Sequence, residues 1–442
     1  MFIKCPEYIL TAIKLLEKSG FKAFIVGGCV RDSIMGNIPD DWDMTTNASP
    51  EEIISVFSQY KTVPTGIKHG TVTVIIDGNK IEITTMRIDG EYSDNRRPDS
   101  VKFTDDITVD LSRRDFTVNA IAYNPLSGIT DPFNGTADIK RKTIKCVGNP
   151  DKRFDEDALR ILRAVRFASV LGFTIDNETK ESIIRKSNLL NNVAKERIRN
   201  ELLKLLCGKN AEKILLDYRN IIFTIIPELE AENNFEQHTP YHIYDVWTHT
   251  AKVVASVKNT YVLRMSALLH DIGKPQKFYL DASGTGHFKG HPELSAKTAE
   301  KILKELHFSN AEIKQITQII LLHDRRPNGD KKQIAHLCAE YSPEIVNDTI
   351  ELMKADTAAK SPDLYDKYIS ACNTAQKQIS EIIDNNECIS LKSMAINGND
   401  LLAVGIKGEK IKIILNTLLD MIIDDKVQNN ENELIDAAFK IL

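Results

Sequence analysis

Two acidic residues, Asp41 and Asp43, flank a tryptophan shortly after a pair of glycines, Gly27 and Gly28. If "DDWDM" is a β-strand, its side chains alternate between faces, so both carboxylates point one way and Trp42 points the other. Two aligned carboxylates repel each other unless a cation neutralises them. Carboxylate oxygens suit Mg²⁺, which commonly shares its coordination with substrate phosphates. The pattern therefore predicts that Asp41 and Asp43 bind Mg²⁺.

The glycine pair predicts a phosphate site. "FIVGGCVRD" has the pattern of a strand that ends at Gly27 and Gly28, followed by a helix that begins near Cys29. Such glycines let backbone N–H groups and the helix N-terminus cradle phosphate oxygens. The alternative is a tight turn beside a solvated strand edge. A third acid, Glu82, is expected on a later strand, either next to the metal ligands or on the surface.

A second group of metal-ligating residue types occurs in the middle of the chain. Seven of the ten histidines lie within a stretch of about 110 residues, and four of them form an ordered series with two aspartates in helical or near-helical context. Imidazole and carboxylate together form a ligand set for Ni, Mn, Co, Fe or Zn. A single histidine on a helix is more often a core or surface residue, but an ordered series predicts a metal site. Its members are His249, His270, Asp271, His291, His323 and Asp356.

The elements that must position these residues change in type near residue 140. Before it, β-branched runs such as "AFIVGG", "TVTVIID" and "KIEITTMRI" alternate with helical patterns and with turn signals such as Asp77-Gly78. After it, segments such as "EDALRILRAVRFASVLG" and "AEIKQITQIILLHD" have the apolar spacing of helices. The sequence thus predicts an α+β protein with an α/β head and an elongated all-α body. The expected domains are residues 1–140, 141–225, 226–365 and 366–442.

Composition limits the function classes. The chain has 442 residues, 27% of them charged, a formal net charge of -5, and no apolar run long enough for a membrane span. The net charge does not indicate a nucleic-acid partner, although basic residues outnumber acidic ones between Asp138 and Leu206; such a run is commonly a solvated helix face. Glu7 and Glu17 in an amphipathic N-terminal segment argue against a secretory signal, and the seven cysteines form no CxxC motif. A cytoplasmic protein without a membrane partner is expected.

The ordered motifs resemble the class II nucleotidyltransferase head shared by CCA-adding enzymes and bacterial poly(A) polymerases. The resemblance covers roughly the first 210 residues. It implies a small head of the DNA polymerase β-like nucleotidyltransferase fold, with Mg²⁺ as cofactor and with CTP, ATP and tRNA as partners. The implied reaction is transfer of a nucleoside monophosphate to an RNA 3′-hydroxyl, with Asp41 and Asp43 as catalytic metal ligands. The motifs are "GGCVRD", "DDWDMTTNASP", "GIKHGTVTV", "RIDGEYSDNRRPDSVKF", "DLSRRDFTVNA", "FDEDALRILRAVRFA" and "ERIRNELLKLL".

The resemblance also implies nucleotide-binding residues. Gly27, Gly28 and Arg31 would hold the triphosphate, and Asp32 is expected to brace the same helix. The "RRD" motif matches the family segment for ribose recognition and nucleotide positioning, where a planar guanidinium can make two contacts at once. A salt-bridged strand end is the alternative for that motif. Its members here are Arg113, Arg114 and Asp115, with Asn119 just after them.

Asp157 and Arg160 match the residues that select the base in this family. If they lie in one helix, they are three positions apart and share a face. Cytosine and adenine both present an exocyclic amino donor beside a ring-nitrogen acceptor, so an Asp acceptor and an Arg donor fit them and leave guanine and uracil unpaired. Without the resemblance, the pair predicts an ordinary surface ion pair. Arg163 and Arg166 extend a basic stripe that could face nucleotide or tRNA backbone.

The loop "RIDGEYSDNRRPDSVKF" is rich in charge, glycine and proline, which is typical of a segment that closes over a site. In the family a full-length loop of this kind accompanies addition of the terminal A. Its length here favours complete CCA addition over addition of CC alone.

Residues 238–358 resemble the HD phosphohydrolase superfamily through "VWTHTAKV", "SALLHDIGKP", "FKGHPE", "LLHDRR" and "LMKADTAA". The resemblance implies a transition-metal site and hydrolysis of phosphomonoesters or 2′,3′-cyclic phosphodiesters.

Three alternatives stay open at this stage. They are a poly(A) polymerase, an enzyme that adds only the A, and a metal phosphohydrolase with a degenerate head. Poly(A) polymerases tend to carry a strongly basic tail, whereas the last ninety residues here lean acidic. The sequence does not fix the oligomeric state.

Overall fold

A computed structural model describes residues 2–67, 70–90, 100–360 and 365–441. The chain divides into two compact units, Met1–Ile225 and Ile226–Leu442. The domain boundaries predicted from the sequence are finer than this division and remain predictions.

The first unit begins with strands and helices that alternate. Its strands are β1 (Ala23–Val26), β2 (Asp43–Thr46), β3 (Lys61–Gly66), β4 (Thr71–Ile76), β5 (Asn79–Thr85), β6 (Arg87–Asp89), β7 (Val101–Phe103), β8 (Ala122–Asn124), β9 (Gly128–Thr130), β10 (Thr143–Ile144) and β11 (Thr174–Ile175). Its helices are α1 (Glu7–Lys18), α2 (Gly28–Ile34), α3 (Pro50–Val56), α4 (Ile107–Ser112), α5 (Gly135–Arg141), α6 (Pro150–Glu156), α7 (Leu159–Leu171), α8 (Asn177–Lys186), α9 (Lys195–Leu206), α10 (Ala211–Asp217) and α11 (Arg219–Ile225).

Seven of these strands form one mixed sheet in the order β3-β4-β5-β2-β1-β8-β9. Strands β2 and β5 are parallel, and every other neighbouring pair in this sheet is antiparallel. The alternating burial of β4 matches a sheet with one face in the core. Asp77 and Gly78 both have positive φ angles and close the β4–β5 hairpin, as the sequence predicted.

The second unit consists mainly of helices. They are α12 (Val246–Ser256), α13 (Tyr261–Leu269), α14 (Lys274–Lys277), α15 (His291–Glu305), α16 (Asn310–Leu322), α17 (Lys331–Tyr341), α18 (Pro343–Ala358), α19 (Tyr365–Asp384), α20 (Gly398–Ala403), α21 (Lys410–Ile423) and α22 (Glu431–Ile441). A short hairpin, β12 (Tyr279–Leu280) and β13 (Gly286–His287), lies between α14 and α15. Apolar side chains of α17, α18, α19, α21 and α22 form one core cluster.

The predicted α+β class is confirmed: along the chain, an α/β head with a mixed sheet precedes a mainly helical part. In the described part of the chain, no helix combines the length and the apolar character that crossing a membrane requires.

Candidate functional site

Gly27 lies between the end of β1 and the first residue of α2, with φ +81° and ψ −136°. This conformation is essentially restricted to glycine. A Cβ atom at Gly27 would also lie 3.1 Å from Arg114 Nη1 and 3.9 Å from Asp43 Oδ2. Gly27 therefore allows a guanidinium and a carboxylate to approach the strand end closely. The predicted strand–glycine–helix arrangement is confirmed, and α2 begins at Gly28, one residue before the predicted start.

Three acidic side chains lie near one another at the start of β2. Asp43 is paired with Glu82 on the parallel strand β5, so the expected strand position of Glu82 is confirmed. The prediction that Asp41 belongs to a strand is wrong, because β2 begins at Asp43 and Asp41 lies in the irregular segment before it. Trp42 is buried and Asp41 is exposed, as the alternation predicted.

Electrostatic repulsion within this group indicates what it can bind. The pKa of Asp43 is raised to about 6, first by burial and then by the charge of Asp41; Arg114 opposes the rise and Glu82 adds to it. A divalent cation would relieve this repulsion, and carboxylate oxygens are the ligands that Mg²⁺ prefers. The donor set therefore fits Mg²⁺, with Asp41 and Asp43 as the candidate ligands and Glu82 beside them.

This repulsion leads to a testable stability effect. Asp43→Asn is expected to stabilise the EDTA-treated protein against unfolding at pH 7.5 by about 1 kcal/mol. A two-unit pKa shift corresponds to roughly 3 kcal/mol, and solvent screening of the partly exposed Asp43 carboxylate lowers this free energy. The folded-state pKa, about 6, exceeds the usual 3.8, so the cost of charging Asp43 is present in full above pH 6 and disappears below pH 4. Hydrogen exchange of peptides from β2 and β5 measures the difference. Weaker protection of the variant at pH 7.5 would contradict this account.

Two arginines after α4 are held by a buried acid that the sequence reasoning missed. Asp110 is fully buried, accepts a hydrogen bond from Arg113 Nε at 2.9 Å and lies 3.6 Å from Arg114 Nη2. Arg114 Nε has no hydrogen-bond partner among the described residues. Arg114 therefore keeps a donor for a ligand beside Gly27 and Asp43. The signal in the sequence was the spacing of Asp110, three and four residues before the two arginines.

Asp115 and Asn119 link several of the predicted nucleotide-binding residues. Asp115 Oδ2 accepts a hydrogen bond from Arg163 Nη2 at 2.6 Å, and Asp115 Oδ1 accepts one from Asn119 at 3.1 Å. Asn119 in turn accepts one from Arg31 Nη1 at 2.7 Å. Burial alone would raise the pKa of Asp115, but Arg163 and Asn119 outweigh it and lower the pKa to about 2. Arg31 also donates two hydrogen bonds to Asp32, the residue expected to brace this helix.

Phe167 is surrounded by three arginines. The guanidinium carbons of Arg166, Arg31 and Arg163 lie 3.6, 5.2 and 5.4 Å from its ring centroid. Arg166 also donates a hydrogen bond to Glu201 on α9 at 2.8 Å. Arg163 and Arg166 are therefore bound to protein groups, and Arg163 is the more exposed, with 32% of its side chain accessible against 12% for Arg166.

The expectation that Asp157 and Arg160 lie in one helix is wrong. Asp157 has an extended backbone conformation, is the C-cap residue of α6 and accepts a hydrogen bond from Leu159 N, so it lies between α6 and α7 and outside both. Both carboxylate oxygens of Asp157 bind Arg197 on α9, at 2.8 and 3.2 Å. Arg160 binds Glu156 at 2.6 Å and the carbonyl oxygen of Arg113 at 3.0 Å. The two side chains therefore have separate protein partners and do not form the ordinary ion pair considered from the sequence.

Residues 91–99 of the predicted closing loop lie outside the described residues. Its flanks, β6 and β7, pair as an antiparallel hairpin.

The second unit brings together the ordered histidine and aspartate series. His249 lies on α12, His291 begins α15, and Asp356 lies near the end of α18. His270 and His323 directly follow α13 and α16, and Asp271 follows His270. All six predicted ligands are buried. Five of them form two overlapping groups that share Asp271: one with His249 and His270, the other with His291 and His323. Asp356 is in neither group, but its Oδ1 lies 3.1 Å from His249 Nε2.

The protonation of the rings fits metal binding. Nδ1 of His270, His291 and His323 faces the backbone carbonyl three residues earlier, at 2.8, 2.9 and 2.6 Å. In a neutral ring this hydrogen bond places the proton on Nδ1, so Nε2 carries a lone pair. Nε2 of His291 lies 3.2 Å from Nε2 of His323. Two lone pairs at that distance repel each other, whereas ligands of one ion lie roughly 3 Å apart when each bond is about 2.1 Å. The donor set therefore fits a transition metal.

Basic residues that the sequence reasoning missed balance the two aspartates. Lys274 Nζ lies 2.7 Å from Asp271 Oδ2. Lys360 and Arg326 donate to Asp356 Oδ2 at 2.7 and 2.9 Å, while Asp356 Oδ1 lies 3.1 Å from His249 Nε2. Burial would raise the pKa of Asp356, but Lys360 and His249 hold it well below its usual range. Lys274 and Lys360 follow the two aspartates by three and four residues, a spacing that could have identified them.

A cavity of about 470 Å³ opens beside these residues. Asp271, His291, His323 and Asp356 line one part of it, and His242 lines another. The pKa of His242 is lowered to about 3 by burial and, further, by the charges of Lys274 and Lys360. The sequence reasoning missed His242 as well; its position in "TPYHIYDVWTHT", seven residues before His249, was the available signal.

Comparison with known families identifies three regions. Residues 23–145 match the model described as "Poly A polymerase head domain". Residues 172–232 match "Probable RNA and SrmB- binding site of polymerase A", and residues 291–438 match "tRNA nucleotidyltransferase domain 2 putative". Each of the three matches covers less than half of the chain.

Curated relatives share part of the chain. A CCA-adding enzyme of Lactobacillus delbrueckii subsp. bulgaricus is 46% identical over 219 residues, which cover 49% of this chain and 55% of that protein. One from Anoxybacillus flavithermus is 47% identical over 221 residues, covering 50% and 55%. The matched region thus spans about half the length of these relatives.

Solved structures match over nearly the whole chain. The Bacillus stearothermophilus CCA-adding enzyme in complex with CTP is 26% identical, with a TM-score of 0.74 over 98% of this chain and 97% of that one. The Thermotoga maritima CCA-adding enzyme complexed with tRNA is 18% identical, with a TM-score of 0.55 over 98% and 95%, a likeness of fold alone.

Proposed function

We propose that this chain, which carries a poly(A) polymerase head domain, adds CCA to the 3′ end of tRNA from CTP and ATP. One observation carries the proposal: Asp43, with Asp41 and Glu82 near it, lies beside Gly27, where Arg114 also approaches. Phosphoryl transfer depends mainly on positioning and on neutralising charge, and this group offers acids for a cation and a guanidinium for phosphate. The likeness to CCA-adding enzymes, one of them in complex with CTP, supports the choice of substrates.

The chain's own groups have defined roles in this proposal. The conformation of Gly27 lets the triphosphate approach the backbone, and Arg114, held by Asp110, meets its charge. Asp115, fixed by Arg163 and Asn119, positions the sugar. Asp41 and Asp43 hold Mg²⁺, which would supply activation of the 3′-hydroxyl and neutralisation of the triphosphate. Arg31 and Arg113 are tied to Asp32 and Asp110 and fix the walls of the site.

Base choice is assigned to Asp157 and Arg160. Asp157 is held by Arg197 and Arg160 by Glu156, so both are fixed before a base arrives. Asp157 Oδ1 already accepts from Leu159 N and Arg197, whereas Oδ2 accepts one described hydrogen bond, from Arg197. Oδ2 can therefore accept another, and an amino group of C or A would supply it. Fixed groups reject a base that leaves them unpaired.

Asp157→Ala is expected to raise incorporation of UTP and GTP relative to CTP by about 10- to 100-fold, since the loss of one buried hydrogen bond costs roughly 1 to 3 kcal/mol. Single-nucleotide kinetics with each NTP measures the ratio. Asp155→Ala is the matched control, because Asp155 is two residues away and pairs with Lys186 at the surface. Unchanged rejection of UTP and GTP by the Asp157 variant would remove the assignment.

The experiment that tests the function uses three tRNA transcripts: one that lacks the whole CCA end, one that ends in the first C, and one that ends in CC. Each is incubated with one labelled NTP at a time, and the products are sequenced. Addition of C, C and then A supports the proposal. Repeated A addition to unrelated RNA would indicate a poly(A) polymerase, and addition of A only after CC would indicate the partial enzyme.

A second activity is proposed for the helical unit: metal-dependent hydrolysis of phosphomonoesters or 2′,3′-cyclic phosphodiesters. The supporting observation is that Asp271, His291, His323 and Asp356 line one cavity, with the imidazole lone pairs of His291 and His323 directed toward each other. His249 and His270 lie beside Asp271. A bound Ni²⁺, Mn²⁺ or related ion would supply an activated water. Assays with p-nitrophenyl phosphate and 2′,3′-cyclic AMP, with each metal added, test it. No bound metal and no hydrolysis would refute it.

A further inference from the structure

His242 is a partly buried imidazole whose ring has no described hydrogen-bond partner. Its ring nitrogens, Nδ1 and Nε2, are both buried, and neither has a hydrogen-bond partner in the described part of the chain. Buried polar atoms are normally paired, because leaving one unpaired costs about 1 to 3 kcal/mol. The other cavity histidines have partners: His287 binds Asp281 at 2.7 Å, and His291 faces the Phe288 carbonyl at 2.9 Å. His242 therefore differs from its neighbours in having its hydrogen-bonding capacity available for a ligand.

The position of His242 indicates the chemical class of that ligand. It lines the cavity together with Asp271, Asp356, Lys274 and Lys360. Its ring lies 5.4 Å from that of His249, between centroids. Yet His242 is in neither of the two groups whose ligand atoms lie within 4.8 Å of one another. Asp356 is also in neither group, but its Oδ1 lies 3.1 Å from His249 Nε2, whereas the ring nitrogens of His242 have no hydrogen-bond partner among the described residues. His242 is thus beside the predicted metal ligands but outside their arrangement.

The basic residues add to this argument. Lys360 lies two residues after the end of α18, and Lys274 is the first residue of α14, so the two positive charges reach the cavity from different elements. His242 reaches it from a third segment, the one before α12. Each ammonium group has three donors. Lys274 uses donors on Gln237 and Asp271, and Lys360 on Asp356. A tetrahedral anion with several acceptor oxygens fits one imidazole donor flanked by two ammonium groups.

We propose that His242 contacts the substrate in the second unit by donating a hydrogen bond to an oxygen of its phosphoryl group. This assignment rests on the proposed hydrolase activity and adds to it a residue for substrate binding distinct from the metal ligands. Lys360, which follows α18, supplies positive charge to the same phosphoryl group. The ligand class is a terminal phosphate ester or inorganic phosphate.

The test compares His242→Ala, His242→Gln and wild type in the full chain loaded with Mn²⁺ or Ni²⁺. Binding of inorganic phosphate is measured by calorimetry, and bound metal by elemental analysis. His242→Ala is expected to weaken phosphate binding about tenfold with unchanged metal content, since a hydrogen bond to a charged group is lost. His242→Gln keeps an N–H donor and is expected to recover part of the affinity. In steady-state hydrolysis, the KM of His242→Ala should rise about tenfold, and the KM of His242→Gln should rise less.

Two controls make the result decisive. His238→Ala removes a half-exposed imidazole four residues earlier that does not line this cavity. Hydrogen exchange of peptides from α12 and α18 verifies that the second unit of each variant is folded. Wild-type affinity in His242→Ala overturns the assignment, and so does loss of metal, because His242 would then be a ligand. If the wild type itself binds neither metal nor phosphate, the hydrolase proposal fails and this assignment fails with it.

Discussion

Replacing Asp43 with asparagine is expected to lower the rate of nucleotide addition by about three orders of magnitude. Asparagine keeps the shape of the side chain but removes the charge that would hold the cation beside Asp41. A loss of about 4 kcal/mol of transition-state stabilisation corresponds to roughly 10³-fold in rate. Single-turnover addition of CMP to tRNA lacking its 3′ end measures the rate, and Mn²⁺ binding followed by electron paramagnetic resonance measures the site directly.

Asp40→Asn is the matched control for this variant. Asp40 precedes Asp41 and is exposed, and its charge is not among those that raise the pKa of Asp43. Addition by the Asp40 variant should stay within about twofold of wild type, as for a surface charge with weak coupling. A rate for Asp43→Asn close to wild type would show that these acids do not hold the catalytic cation. Since the same variant should stabilise the metal-free protein, loss of folding cannot account for the expected loss of rate.

Asp271→Asn is expected to abolish metal binding and hydrolysis in the second unit while leaving nucleotide addition intact. Asp271 belongs to both groups of candidate ligands, so its replacement weakens both at once. Its carboxylate also lies 2.7 Å from Lys274, and the variant leaves that buried ammonium without its charged partner. Metal content by elemental analysis and hydrolysis of p-nitrophenyl phosphate are the measurements, with an expected loss of at least about 10³-fold in rate.

Glu293→Gln provides the comparison, because Glu293 is exposed on α15 two residues after His291. Its metal content and hydrolysis should equal those of wild type. An Asp271 variant that keeps its metal would disprove the role of the shared carboxylate. Loss of nucleotide addition in the same variant would show that the two proposed activities are not independent.

Both sites follow the same electrostatic rule. In each, at least one carboxylate is largely shielded from solvent and lies near other carboxylates or imidazoles. Nearby basic side chains offset part of the charge: Arg114 for Asp43, Lys274 for Asp271, Lys360 for Asp356. Partial compensation keeps the carboxylates close enough to bind a cation while leaving charge for it to neutralise.

Local features of the chain were predictable because short-range physics determines them. Only glycine adopts the conformation of Gly27 readily, and the pairing of a β-branched run with a following helix identified β1 and α2. The alternation around Trp42 predicted which side chain is buried, and the positive-φ turn at Asp77 and Gly78 predicted a hairpin. The order of histidines and aspartates identified residues at the candidate metal site of the second unit, since residue type fixes ligand chemistry.

The tertiary structure decided the contacts between distant segments. Parallel pairing of β2 with β5 places Glu82 beside Asp43, and the end of α6 places Asp157 outside a helix and against Arg197, forty residues later. His242 and Lys360 line the same cavity only because the segment before α12 and the residues after α18 lie next to each other. Periodicity describes one element at a time, whereas these contacts depend on how packed elements meet, and that is set by the burial of their apolar faces against each other.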